Sequence, residues 1–111
     1  MVSAAEDLAR TRTETLAQID ALTREFDEVV AASRSSNADD EHDPEGATIA
    51  FERQQVAALL DQAQRRLADV DAALARAAAG DYGRCAECGR EIAAERLAAR
   101  PQTRTCIACA R

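Results

Sequence analysis

The four cysteines are the residues of this chain best equipped for chemistry. Cys85 and Cys88 form one Cys-x-x-Cys pair, in CAECG, and Cys106 and Cys109 form a second, in CIAC, with seventeen residues between them. Each pair can present two sulfurs to one ion at about 2.3 Å and leaves two ligand positions for the other pair, so this spacing is the signature of a four-thiolate zinc site. A redox dithiol would account for one such pair but not for two, and an iron–sulfur site is the other rival. Four thiolates leave no open position for water, so the cofactor expected is one structural Zn(2+) and not a catalytic one. No nucleophile–base pair is visible elsewhere, and the chain reads as a non-enzyme.

The elements that must hold those sulfurs are slight. Gly89 follows the first pair, where the chain has to turn tightly around a metal. Residues 80–111 offer Ile92, Leu97 and Ile107 as large aliphatics, too few for a self-sufficient core, so metal binding must supply much of the module's folding energy. The module also differs in charge from what precedes it. Residues 1–79 carry eight Arg against 16 acids, net -8, whereas residues 80–111 carry six Arg against four acids, net +2.

The rest of the chain reads as helix. Of 111 residues 47% are apolar, but 27 residues are Ala and aromatics are 3%, which is too little bulk for a sandwich, a barrel or a doubly wound sheet. Leu8, Thr15, Ile19, Leu22, Phe26 and Val29 follow a heptad spacing with one polar step, and predict a helix from residue 5 to about 35. Ser3 and Glu6 have the spacing of a capping box at its start. Residues 33–46, SRSSNADDEHDPEG, lack any large apolar side chain and read as a break. From Ala47 to about Ala79 the heptad returns in Ile49, Val56, Leu60, Ala63, Leu67, Val70, Leu74 and Ala77. Gly80 then ends the helix. Neither stripe can be buried alone, so the fold expected is mainly α: a long antiparallel helical hairpin (coiled coil) over 1–79, with a small four-cysteine zinc-ribbon module over 80–111. The far end of the hairpin, residues 37–47, is an acidic tip holding Asp39, Asp40, Glu41, Asp43 and Glu45.

Charge and hydropathy narrow the function. A net charge of -6 and a pI near 4.8 disfavour general affinity for nucleic acid. No apolar run approaches a membrane span, and the charged N-terminus lacks the apolar stretch of a signal peptide, so a cytoplasmic protein without a membrane partner is expected.

The run LARAAAGDYGRCAECGREIAAERLAARPQTRTCIACA resembles the C-terminal region of the DksA/TraR family of RNA polymerase-binding regulators. The likeness rests on Gly80, Tyr82-Gly83 before the first cysteine pair, Ile92, Arg96-Leu97, Pro101 and both pairs, and the preceding hairpin agrees in architecture. In size the chain is nearer the compact members, because longer ones continue past the last cysteine into a further helix. The resemblance implies a regulator that binds bacterial RNA polymerase and inserts its hairpin through the secondary channel. The acidic tip would then modulate promoter complexes near the active centre, in the stringent response often together with guanosine tetraphosphate. The family's tip pattern, Asp-x-x-Asp-x-Ala, falls by gap-free alignment on His42, Glu45 and Ala47, with Asp43 or Asp40 as stand-in for the first acid. The tip residues expected to meet the partner are therefore Asp40, Asp43, Glu45 and Ala47. The alternatives are a zinc-ribbon adaptor with another helical partner, or a nucleic-acid-binding zinc ribbon.

Overall fold

The computed structural model describes residues 3–36 and 44–110. Its elements are α1 (Ala4–Ser36), α2 (Pro44–Ala79) and the short α3 (Ala94–Ala99). Beyond these, the described residues hold one isolated antiparallel bridge, Arg84 to Glu91. The expected break at 33–46 is narrower than its composition suggests. α1 continues through Ser36, and α2 starts at Pro44, three residues before Ala47. Proline suits a first helical position, since the N–H it lacks would have no partner there. Asp40, His42 and Asp43 lie outside the described residues, as does the side chain of Glu45.

α1 begins as its sequence dictates. The Asp7 N–H donates to the Ser3 carbonyl at 3.0 Å, the first bond of the helical ladder, and the Glu6 N–H donates to Ser3 Oγ at 3.1 Å, so the cap side chain satisfies one of the donors that a helix start leaves free. At 1.5 Å per residue α1 is about 50 Å long and α2 slightly longer.

The two helices pair antiparallel, and the chain resolves into two compact units that cut across them. In the unit Leu16–Gln64, Leu22, Val56 and Ala63 form a buried cluster with Ile19, Phe26 and Leu60 packed against it. The Arg53 guanidinium lies 5.9 Å from the centre of the Phe26 ring, within cation–π range. The other unit joins the residues up to Thr15 with those from Arg65 onward. Its buried side chains are Leu8, Thr15, Val70, Ala73, Cys85 and Ile92. Arg12 Nε donates to Asp71 Oδ1 at 2.7 Å from α1 to α2. The polar step of the first stripe is resolved locally: buried Thr15 donates its hydroxyl to the Thr11 carbonyl at 2.7 Å, so no seam donor is stranded. Ala73, outside the expected stripe, is fully buried, whereas Ala77 is only half-buried.

Candidate metal centre

The site is built by backbone turns. Gly80 takes φ +82, and the Asp81 N–H donates to the Arg76 carbonyl at 2.9 Å, a left-handed helix end that swings the chain off α2. Gly83 at φ +85 accepts from the Ile92 N–H at 2.7 Å, which folds residues 83–92 back on themselves around the Arg84–Glu91 bridge. At the closed end, the Cys85 N–H donates to the Arg90 carbonyl at 2.8 Å and the Gly89 N–H to the Cys85 carbonyl at 2.9 Å, with Gly89 at φ +76. Side chains with a Cβ avoid that φ, and this is the tight turn that the glycine after Cys88 implies. The second pair turns likewise: Cys109 and Ala110 both donate to the Cys106 carbonyl, at 3.1 and 3.0 Å. The Ala86 N–H reaches the Arg104 carbonyl at 2.8 Å and ties the two turns together.

The four sulfurs converge. The Sγ atoms of Cys85, Cys88, Cys106 and Cys109 all lie within 4.8 Å of one another, and Cys88 Sγ is 3.7 Å from Cys106 Sγ. A tetrahedral site with metal–sulfur bonds of about 2.3 Å has sulfur–sulfur edges of about 3.8 Å, so the observed edge is the one a zinc ion requires. Cys85 is buried, Cys88 is exposed, and the other two are intermediate. The backbone N–H of Cys88, and after it that of Cys106, hold the Cys85 thiol down at about 6, which favours the thiolate a metal binds. Cys106 is also lowered, chiefly by the Cys109 backbone N–H. Cys109 is pushed up to about 12, first by its hydrogen bond with Cys106: without a cation the crowded sulfurs share protons instead of all ionising. A divalent ion removes that conflict.

Side chains brace the module internally, and one ties it to the end of α2 in the same unit. Arg96 Nε of α3 donates to the Thr105 carbonyl at 2.9 Å, the Tyr82 hydroxyl to the Pro101 carbonyl at 3.0 Å, and Arg76 to the Thr103 carbonyl at 3.4 Å. The Tyr82 phenol is raised by burial and then by the charge of Asp7 near the start of α1. Of the three expected core aliphatics, Ile92 is buried and Leu97 half-buried. Ile107 is 79% exposed, because its place inside the second cysteine turn faces it away from the module.

One feature lies outside the sequence reading. Arg96, Arg100 and Arg104 line an open cleft of about 210 Å³ together with Asp69, Gln102 and Thr103. The i,i+4 spacing of Arg96 and Arg100 was the available signal. Ala47, the one expected tip residue whose side chain is described, is exposed near the start of α2.

Residues 80–111 match the prokaryotic dksA/traR C4-type zinc finger. Over 95% of its length the chain also superposes on transcription factor DksA2 from Pseudomonas aeruginosa, at 33% sequence identity and a TM-score of 0.76, covering 75% of that chain. The chain belongs to the DksA/TraR family. Among curated proteins, a sequence comparison finds no match. This DksA/TraR protein thus carries one structural zinc ion, a conclusion that rests on the C4 finger and the convergent sulfurs. Among its described residues, no helix is long and apolar enough to cross a membrane.

Proposed function

We propose that the protein regulates transcription by binding bacterial RNA polymerase through its secondary channel. On this reading residues 1–79 act as an arm and residues 80–111 as a zinc module at its base, with Cys85, Cys88, Cys106 and Cys109 as the ligands. The observation that carries the reading is likeness to a transcription factor at 33% identity across 95% of the chain. An arm about 50 Å long can reach down a deep channel. The acidic tip, with Asp40, Asp43, Glu45 and Ala47 as its contact residues, would be drawn to a centre rich in basic residues and divalent metal. Its effect is differential binding to two states of the transcription complex, not chemistry of its own. The cleft of Arg96, Arg100 and Arg104 supplies the cationic surface that guanosine tetraphosphate would need at a shared interface.

The test is a pull-down with RNA polymerase core, comparing wild type with D40N/D43N/E45Q, followed by a promoter-complex lifetime assay. Wild type should bind. The variant should still bind while losing its effect on lifetime, which would assign docking to the base and regulation to the tip. Absence of binding by wild type at near-physiological salt would sink the reading and favour the adaptor.

A further inference from the structure

Three consecutive carbonyls, those of Thr103, Arg104 and Thr105, gather hydrogen bonds from every part of the metal centre's surroundings. The Thr103 carbonyl accepts from Arg76 of α2 at 3.4 Å. The Arg104 carbonyl accepts from the Ala86 N–H, within the first cysteine turn, at 2.8 Å. The Thr105 carbonyl accepts from Arg96 Nε of α3 at 2.9 Å and from the Thr103 hydroxyl at 3.2 Å. Cys106, one of the four convergent sulfurs, is the next residue. Residues 103–105 are thus a strap that joins α2, α3 and both cysteine turns.

The same strap is one wall of the arginine cleft. Thr103, Arg104 and Thr105 line it together with Arg96, Arg100 and Asp69. Three arginines against one acid leave the cleft cationic. Arg100 and Arg104 are exposed, and among the described residues their side chains enter no ion pair. Arg96 serves both sites. Its Nε is engaged by the Thr105 carbonyl, while the two terminal nitrogens of the guanidinium remain as donors for an anion.

On the reading of the cleft as a site for phosphate groups, on which this inference rests, we propose that the cleft and the zinc centre are linked. A phosphate-like dianion held by Arg96, Arg100 and Arg104 slows the loss of zinc, and the zinc in turn maintains the anion site. Zinc leaves when the sulfurs separate. Moving Cys106 away displaces the Thr105 carbonyl, which releases Arg96 and carries Arg104 out of the cleft. An anion that binds only the closed form disfavours this opening by one plus the ratio of its concentration to its Kd. The effect is reciprocal, so zinc favours the anion by the same factor. The cleft, at about 210 Å³, is smaller than the roughly 300–1,000 Å³ of an enclosed small-molecule site, so a small dianion binds it weakly.

The experiment is zinc release from the zinc-loaded full chain into a chromogenic chelator. Sodium sulfate is the probe, and sodium chloride at equal ionic strength is the reference. Sulfate has the charge and shape of a phosphate group and is a poor zinc ligand. NMR shifts of the amides of 100 and 102–105 give its Kd. At about ten times that Kd, release from the wild type should be about tenfold slower than in chloride. R100Q/R104Q keeps the backbone of the strap and removes two of the three cations. Its release should be nearly the same in the two salts, whereas a general stabilisation of folding by sulfate would persist in it. R96K keeps the charge and loses the Nε donor, so zinc should leave it several-fold faster in chloride. Equal slowing in the wild type and R100Q/R104Q overturns the proposal. So does unslowed release at saturating sulfate, an absence of shifts, or an R96K that releases zinc at the wild-type rate. The chain is alone in this experiment, so failure here leaves docking on polymerase to be judged by the pull-down, which needs no ligand in the cleft.

Discussion

Removing the zinc should unfold more than the zinc module. A structural four-thiolate ion contributes about 10–16 kcal/mol of apparent binding free energy at neutral pH, and a small domain has only about 5–15 kcal/mol of stability in total. The module cannot replace that from its own interior: Ile92 is its one buried aliphatic and Ile107 is exposed. Loss of the ion also withdraws the partner of Arg76, at the end of α2, whose hydrogen bond ends on the Thr103 carbonyl. The Leu8, Val70 and Ala73 region shares a compact unit with the module and should loosen with it. Hydrogen exchange read by mass spectrometry, before and after chelation, should therefore show protection lost over 80–110 and reduced over 4–15 and 65–79. Residues 16–64, whose Leu22, Val56 and Ala63 cluster is built without the module, should keep theirs. Cys88→Ser should reproduce the pattern without chelator. If zinc is released, as followed by a chromogenic chelator, and the amides of 80–110 stay protected, the argument that the metal folds the module is wrong.

Other substitutions separate packing from surface effects. Val70→Ala removes two methyl groups from a fully buried site and should cost about 1.5–3 kcal/mol by thermal or urea unfolding. Arg12→Ala breaks an ion pair whose side chains are 43% and 49% exposed, and should cost no more than about 1 kcal/mol. Thr15→Val deletes a hydroxyl that serves only its own helix, so its effect should stay within about 1 kcal/mol; a larger loss would show that the hydroxyl has a role in the seam. For pH, Cys85 is depressed from 9.0 to about 6, so its contribution to metal holding is fully present above 9.0 and is lost as pH falls through about 6. Zinc release followed by chelator absorbance should stay low from pH 9 to 7 and rise below about 6. Release already complete at pH 7 would contradict the N–H···S bonds of the first knuckle.

The hairpin was legible because each helix writes its buried side as a heptad. Leu8, Leu22, Val29, Val56, Ala63 and Val70 are all buried where the spacing put them. The ends were less legible, since composition marks where large apolar residues stop and not where backbone hydrogen bonding stops. Ser33 to Ser36 remain helical, and Pro44 opens α2 by its fixed φ. The convergence of the sulfurs followed from the two Cys-x-x-Cys pairs, because a turn of that length has few geometries that present both sulfurs on one side. The exposure of Ile107 did not follow. In a module of about thirty residues built around an ion, the interior belongs largely to sulfur, and an aliphatic within a knuckle has no core to turn towards.

The Arg cleft and the division into units were hidden for one shared reason: both depend on contacts between segments far apart in sequence. Asp69 of α2 lines the same cleft as Arg96 and Arg100, from α3 and its end, and Arg104 from the following loop. The compact unit that contains the metal centre likewise takes in the first turns of α1 and the part of α2 from Arg65 onward, although the sharpest change in composition is at Gly80. Composition reports what a segment is made of, whereas compactness reports what it touches. The end of α2 is thus tied to the zinc module through Arg76, whose side chain donates to the Thr103 carbonyl. A zinc ion with no catalytic position can therefore govern the helices beyond its own module.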